Sequence, residues 1–314
     1  MNIREEVSLK KFNTFGIEVK TQFFTEVSSV DNVREICADK EFGKAKKLIL
    51  GGGSNILFTK DFDGLIVKNN FKGIAVENEN NEHVFVKAGA GENWHSFVLY
   101  CIANNFAGVE NLSLIPGNIG AGPMQNIGAY GIELKDVLEF VEVFDINDLT
   151  IKTLINKSCS FKYRDSIFQH SEGKSYIITG ARLKLSRKYI PNIKYPDLIK
   201  YFGSKKPSVQ EMRQAVVRIR KSKLDYPTTN VGTVGSFFKN PILSKREAVR
   251  LKKQYPDMPL YDAPKNTMKI PAAWLIEQSG FARGYEAGAA GISSKHPLAI
   301  VNRGAATARD VLAL

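Results

Sequence analysis

The sequence holds little that would tie it to a membrane, a metal or an oxidising compartment. No apolar run approaches the roughly 18–20 residues of a membrane span. The opening residues, MNIREEVSLKKFN, contain no apolar core of a secretory signal. Cysteine occurs only at Cys37, Cys101 and Cys159. An odd number, far apart, argues against a disulfide framework and against zinc-ligand spacing, so no metal is expected and the expected setting is reducing and cytoplasmic. Zinc-finger spacing and aromatic RNA-binding motifs are missing too, and there is no internal repeat or low-complexity tract. Against these absences stands a net charge of +12. Such a chain attracts anions, whether nucleic acid, phosphorylated metabolites or acidic lipid. A nucleic-acid binder would rest on that charge alone.

What is present is ordinary globular material. The 314 residues are 43% hydrophobic and 24% charged, enough for two domains or one large one. Residues 47–58, KLILGGGSNILF, read as strand, glycine turn and short strand. GLIVKN (64–69), HVFVKAGAG (83–91), VLEFVEVFD (137–145), TIKTLI (150–155) and YIITGARLKLS (176–186) are further strands. Between them Trp94, Phe97, Val98, Cys101 and Ile102 form one helical apolar stripe, which makes Cys101 a packed thiol. Beyond SRKYIPNIKYP the texture turns helical. Ser208 with Glu211, and Ser244 with Glu247, make capping boxes, the first opening a helix to about Lys223. Pro271 suits the first position of a helix through Ser279, with Gly280 after it. The pattern is α+β. Thr307 and Asp310 start a last short helix at VLAL, either a frayed terminus or a point where more chain followed.

Several stretches have the makings of chemistry. GGGSN (51–55) outlines an anion nest but lacks the Gly-Lys-Ser/Thr of a P-loop, and a tight turn is the plainer reading. GAGENW (89–94) mimics a Rossmann turn, with Trp94 where the third glycine belongs. PGNIGAGPMQNIGAYG (116–131) has five glycines and no charge. A flexible linker would carry serine and charge; this run, stiffened by Pro116 and Pro123, suits a wall against a flat or phosphate-bearing ligand. In SFKYRDSIF (160–168), Arg164 is either half of a surface pair with Asp165 or a fork for a carboxylate. In GTVGSFFKNP (232–241), Ser236 has no adjacent histidine base. It is either a strand-turn serine or a hydroxyl that gives a proton to a strongly basic intermediate. The basic cluster at 205–223 reads as a solvated helix face or a phosphate-binding one.

Taken together, NTFG (13–16), GGGSNILF (51–58), AGAGENWHSFV (88–98), GVENLSLIPGNIGAGPMQNIGAYG (108–131), CSFKYRDSIF (159–168) and GSFFKNP (235–241) resemble, in order, the UDP-N-acetylenolpyruvoylglucosamine reductase family, also called UDP-N-acetylmuramate dehydrogenases. The likeness covers nearly the whole chain. It implies an FAD-binding domain of the vanillyl-alcohol-oxidase type over 1–190, in two subdomains split near 70, and a substrate-binding α+β domain over 191–314. It implies non-covalent FAD, since neither His83 nor His95 sits in an attachment motif. The cofactor site would use Gly51, Gly52, Gly53, Ser54 and Asn55, then Pro116, Gly117, Gly120, Gly122, Gln125 and Asn126, and finally Gly128, Ala129 and Tyr130.

By the same resemblance, NADPH is the hydride donor and the enolpyruvyl double bond of a UDP-sugar is reduced, in ping-pong fashion, for peptidoglycan precursor synthesis. Arg164 would stabilise the developing charge and Ser236 would supply the proton. Tyr163, Tyr195, Lys223, Asn240, Tyr261 and Lys269 would hold the substrate, mainly its UDP part. A monomer is expected, with no nucleic-acid partner and no membrane insertion. Three departures stand out. Thr233-Val234 replaces the usual Asn-Ala, and Gly122 stands where serine or alanine is common. The family's catalytic glutamate would fall beyond VLAL, so no residue here takes that role. That departure raises the alternative of a non-catalytic FAD- or UDP-sugar-binding remnant.

Overall fold

Residues 64–67, Gly-Leu-Ile-Val, are buried at four consecutive positions. An unbroken run of this kind suits a strand covered on both faces with parallel neighbours. It has those neighbours in the computed structural model, which describes residues 2–225 and 231–314. The first sheet contains β1 (Arg4–Ser8), β2 (Lys20–Val27), β3 (Lys47–Leu50) and β4 (Phe62–Asn69), in the order β1-β2-β4-β3. β4 runs parallel to β2 and β3, and β1 is antiparallel at the edge. Helix α1 (Val30–Ala38) makes the crossover after β2, capped by Ser29, whose side chain accepts from the Asn32 amide.

The second sheet is antiparallel. Its strands are β5 (Ile74–Glu79) and β6 (His83–Gly89) and, past the paired two-residue strands β7 (Gly128–Ala129) and β8 (Ile132–Glu133), β9 (Leu138–Asp145), β10 (Thr150–Ile155) and β11 (Tyr176–Ser186). They lie in the order β10-β9-β11-β6-β5. Alternation in β6 buries Val84, Val86 and Ala88. The apolar stripe of α2 (Trp94–Ala103) is buried as its spacing predicts, Cys101 with it. α3 (Pro196–Phe202) and α4 (Val209–Lys223) follow, α4 opening on the Ser208–Glu211 capping box.

The chain divides into two compact units. One comprises Met1–Phe12, Val19–Gly53 and Asp61–Arg220; the other comprises Asn13–Glu18, Ser54–Lys60 and Lys221–Leu314. In the second unit β12 (Gly232–Ser236) joins a sheet, and a separate three-stranded sheet begins with β13 (Ile242–Ser244). The capped α5 (Lys245–Gln254) comes next, then β14 (Tyr261–Ala263), β15 (Thr267–Lys269), α6 (Ala272–Gln278), β16 (Glu286–Ala287), β17 (Ala290–Ile292), β18 (Ala299–Asn302) and α7 (Ala308–Ala313). The orders are β12-β18-β17-β16 and β13-β15-β14. The α+β class is the expected one.

Two local readings differ from the structure. Residues 56–58, expected as a short strand, are irregular; they leave the first sheet for the second unit, where Phe58 is buried. Pro271 is the N-cap of α6 and not its first residue, because its ψ of 117° is still extended.

Candidate active site

Three glycine turns that the sequence offers separately are laced together in the first unit. The Trp94 amide donates to the Gly117 carbonyl at 3.0 Å, Ile119 to Glu92 at 2.9 Å and Gly120 to Ala90 at 2.9 Å. The Asn118 side-chain amide donates to the Gly91 carbonyl at 2.6 Å. The turn after β3 joins the same assembly. A Cβ on Gly52 would lie 2.6 Å from Asn118 Oδ1 and 2.8 Å from the Gly117 Cα, and one on Gly120 would lie 2.6 Å from the Ala90 Cβ. No side chain fits at either place without moving backbone, which is why glycine stands there. Trp94 itself is core, its indole donating to the Leu112 carbonyl at 2.9 Å.

Cations stand behind these turns. The β3–β4 register pairs Leu50 with Lys68, and Lys68 Nζ donates to the Gly51 carbonyl. Lys72 Nζ donates to the Gly91 carbonyl at 2.6 Å. Burial pushes the Lys68 ammonium below the ordinary lysine range; Glu26 works against that shift and Lys72 adds to it. Sequence reading missed Lys68 and Lys72. A lysine ending an apolar strand carries no local mark of what its head group meets.

The 116–131 run is an ordered wall. It forms 3-10 turns at Ile119–Ala121 and Pro123–Gln125, and Asn126 closes the second in the left-handed region at φ 45°. Asn126 is fully buried. Its side chain donates to Glu133 Oε2 at 3.0 Å and to the Lys162 carbonyl at 3.1 Å, and accepts from the Lys135 amide at 3.0 Å. Gly122 is also buried, and a Cβ there would meet Ile119, Leu134 and Ile127 at 3.1–3.4 Å. The Cβ of a serine or alanine would crowd the Ile119 carbonyl and the Leu134 and Ile127 side chains. Asn126 and Gly122 therefore serve by holding the wall. Gly117, Gly120, Gln125, Gly128 and Ala129 keep partial exposure, and Pro116 is exposed. At the far end the nearly buried Tyr130 packs with Met212, Ala215 and Val216 of α4, and its ring stands edge-on to that of Tyr195, centroids 5.1 Å apart.

Arg164 is fastened to the wall. A tight turn pairs Lys162 with Asp165 and holds Arg164 at φ 53°. Its guanidinium donates to the Asn126 carbonyl at 3.2 Å and to that of Gly128, and it lies over the Tyr163 ring, 5.4 Å from the centroid. The surface pair that the sequence allows with Asp165 is not made; Asp165 meets His170 at 2.8 Å. His95 is structural: its Nδ1 accepts from the Leu114 amide at 2.9 Å, and burial lowers its proton affinity, aided by Arg213 and Arg220.

In the second unit, Ser236 ends β12 beyond a bulge. Thr233 pairs with Val301 and Ser236 with Ala299, with the register shifting between them at Gly235, φ 73°. The Thr233 hydroxyl secures the bulge, donating to the Ile300 carbonyl at 3.0 Å and accepting from the Gly235 amide at 3.1 Å. Ser236 is exposed as a result, beside the exposed Phe238. NTFG braces this strand: Thr14 Oγ1 donates to the Thr233 carbonyl at 2.7 Å and the Thr233 amide to Thr14 at 3.0 Å. Asn302 adds a bond to the Phe15 carbonyl at 2.9 Å. Tyr261 and Lys269 are cross-strand partners, and Asn240 Oδ1 accepts from the Ala272 amide at the start of α6, 2.9 Å away. Lys223 ends α4 and helps depress the proton affinity of His296, after burial and Arg283. Ser54 and Asn55 also fall in this unit.

The comparisons with known proteins bear on FAD directly. A family model described as an FAD binding domain matches residues 21–154, and one described as the C-terminal domain of UDP-N-acetylenolpyruvoylglucosamine reductase matches 226–314. Relatives called UDP-N-acetylenolpyruvoylglucosamine reductase in Amoebophilus asiaticus and Flavobacterium johnsoniae are each 43% identical. The alignments cover 100% and 99% of this chain and 93% of each relative. The crystal structure of the reductase of that name from Thermus caldophilus superposes with a TM-score of 0.70 at 25% identity, over 99% of this chain and 93% of its own. The laced glycine turns fit an FAD site, because Gly51, Gly52, Gly117 and Gly120 keep partial exposure and leave uncharged backbone within a ligand's reach. This chain is a flavin-dependent oxidoreductase and belongs to the UDP-N-acetylenolpyruvoylglucosamine reductase family.

Proposed function

We propose that the chain reduces the enolpyruvyl group of UDP-N-acetylglucosamine-enolpyruvate to UDP-N-acetylmuramate, with NADPH as hydride donor, as a step in peptidoglycan precursor synthesis. Bound FAD would supply the hydride-transfer chemistry, and the residues of this chain hold and position the reacting groups. We assign FAD binding to 1–190 and substrate binding to 191–314. The observation carrying the reading is the laced cradle of glycine turns with Arg164 fastened to its rim. In that arrangement Gly51–Gly53 and the exposed atoms of the 116–131 wall hold the cofactor, with Ser54 and Asn55 adding polar groups.

Arg164 keeps a permanent positive charge in fixed orientation. That charge stabilises the carbanion next to the substrate carboxylate, and the fixed orientation spares the reorganisation that water would need. The Ser236 hydroxyl, turned outward by the bulge, donates the proton that completes the new C–H bond. Tyr163, Tyr195, Lys223, Asn240, Tyr261 and Lys269 hold the nucleotide-sugar, the lysines facing its diphosphate. We take the chain to act as a cytoplasmic monomer; its three cysteines are free, as in a reducing setting. A binding-only remnant finds no support, since the relatives carry the reductase name across this chain's whole length.

Anaerobic absorbance tests the reading. NADPH is expected to bleach the yellow flavin band, and the enolpyruvyl-UDP-sugar to restore it. A purified chain that binds no flavin, or whose colour stays bleached after the sugar is added, overturns the proposal.

A further inference from the structure

The cradle just described contains no cation of its own. GGGSN and the 116–131 run are both uncharged, yet the cofactor assigned to them carries a diphosphate. The Lys68 side chain lies behind the first turn, its Nζ on the Gly51 carbonyl. In a trans peptide the carbonyl and the following N–H point in opposite directions. Holding the Gly51 carbonyl toward Lys68 therefore aims the Gly52 N–H away from it. That N–H makes no hydrogen bond among the described residues. A charge-assisted bond to the carbonyl also polarises the peptide, which strengthens its N–H as a donor.

We propose that Lys68 is a positioning residue for the cofactor's diphosphate: it fixes and polarises the Gly51–Gly52 peptide so that the Gly52 N–H meets a phosphate oxygen. Lys72 plays the lesser part, steadying the neighbouring turn through the Gly91 carbonyl, a bond shared with Asn118. This arrangement gives an uncharged loop the effect of a cation without placing an ammonium among the phosphates. The partial burial of Lys68 keeps its charge from being screened as a surface lysine's would be. The inference rests on the FAD reading above, and the test separates the two.

Apo-protein is titrated with FAD and, in parallel, with riboflavin, following quenching of flavin fluorescence. Riboflavin has the ring but no phosphate. Lys68→Met is expected to weaken FAD about tenfold or more while riboflavin changes less than about threefold, and Lys68→Arg is expected to recover most of the loss. Where Lys68→Met does not fold, Lys68→Gln, which loses the charge but keeps a donor on a shorter side chain, serves the same comparison. Equal weakening of FAD and riboflavin means a merely structural lysine and overturns the proposal, as does unchanged FAD affinity. Failure of the wild-type chain to bind FAD would instead refute the underlying reading.

Discussion

Asn126 shows how far one residue's role can be read from its type. The motif marks it as part of the cofactor wall, but its amide makes three hydrogen bonds to protein, with partners 7, 9 and 36 positions away. Nothing in GPMQNIG reveals that Lys162 will pass 36 positions later. Asn126→Ala should destabilise the fold by about 2–4 kcal/mol, the cost of leaving buried partners unpaired, read by urea denaturation of the apo-protein. Arg164 is the opposite case. The family resemblance singles it out, but its tether to two loop carbonyls was not legible. Arg164→Lys keeps the charge but cannot hold both carbonyls from one planar fork. Turnover should fall on the order of a hundredfold with KM much less affected, measured by steady-state NADPH oxidation. Glu110 offers a pH test. Burial raises its proton affinity, partly offset by backbone amides including that of Gly108, 2.7 Å away. The folded state therefore favours the protonated acid. Its contribution is full below the ordinary glutamate range and is lost as pH climbs through the raised value. Denaturation midpoints of Glu110→Gln should stay flat across that window where the wild type declines.

At the scale of elements, strands and capped helices were readable because their signals are local. The stripe of α2 and the boxes opening α4 and α5 need only neighbours within a few positions. The bulge in β12 was not readable, because it depends on which register Thr233 and Ser236 take against β18. It also explains how Thr233 serves here: its hydroxyl bridges the Ile300 carbonyl and the Gly235 amide. Thr233→Val should lower the melting temperature by several degrees, the effect of about 1–2 kcal/mol. It should also reduce the rate of the second half-reaction by loosening Ser236. Thr233→Ser should preserve both, in thermal melts and stopped-flow absorbance.

For the whole molecule, charge and connectivity matter most. The net charge of +12 sets a positive field that favours anionic ligands. Added salt should therefore raise KM for both NADPH and the UDP-sugar while leaving kcat nearly constant, in initial-rate assays across ionic strength. Which segments join which compact unit was beyond sequence reading. No periodicity announces that 13–18 and 54–60 leave their neighbours to pack with residues beyond 220.

The brace that NTFG gives β12 has a consequence for synthesis. Thr14 and Thr233 are 219 positions apart, and Phe15 and Asn302 are 287 apart. A nascent chain exposes its brace early and must wait for most of its length to be made before the partner strand exists. Contacts this distant in sequence slow folding, because the intervening loop must close before they form. The region after residue 220, expressed alone, would lack a strap that belongs to its own sheet, and it should recover order when a peptide spanning residues 13–18 is added in trans.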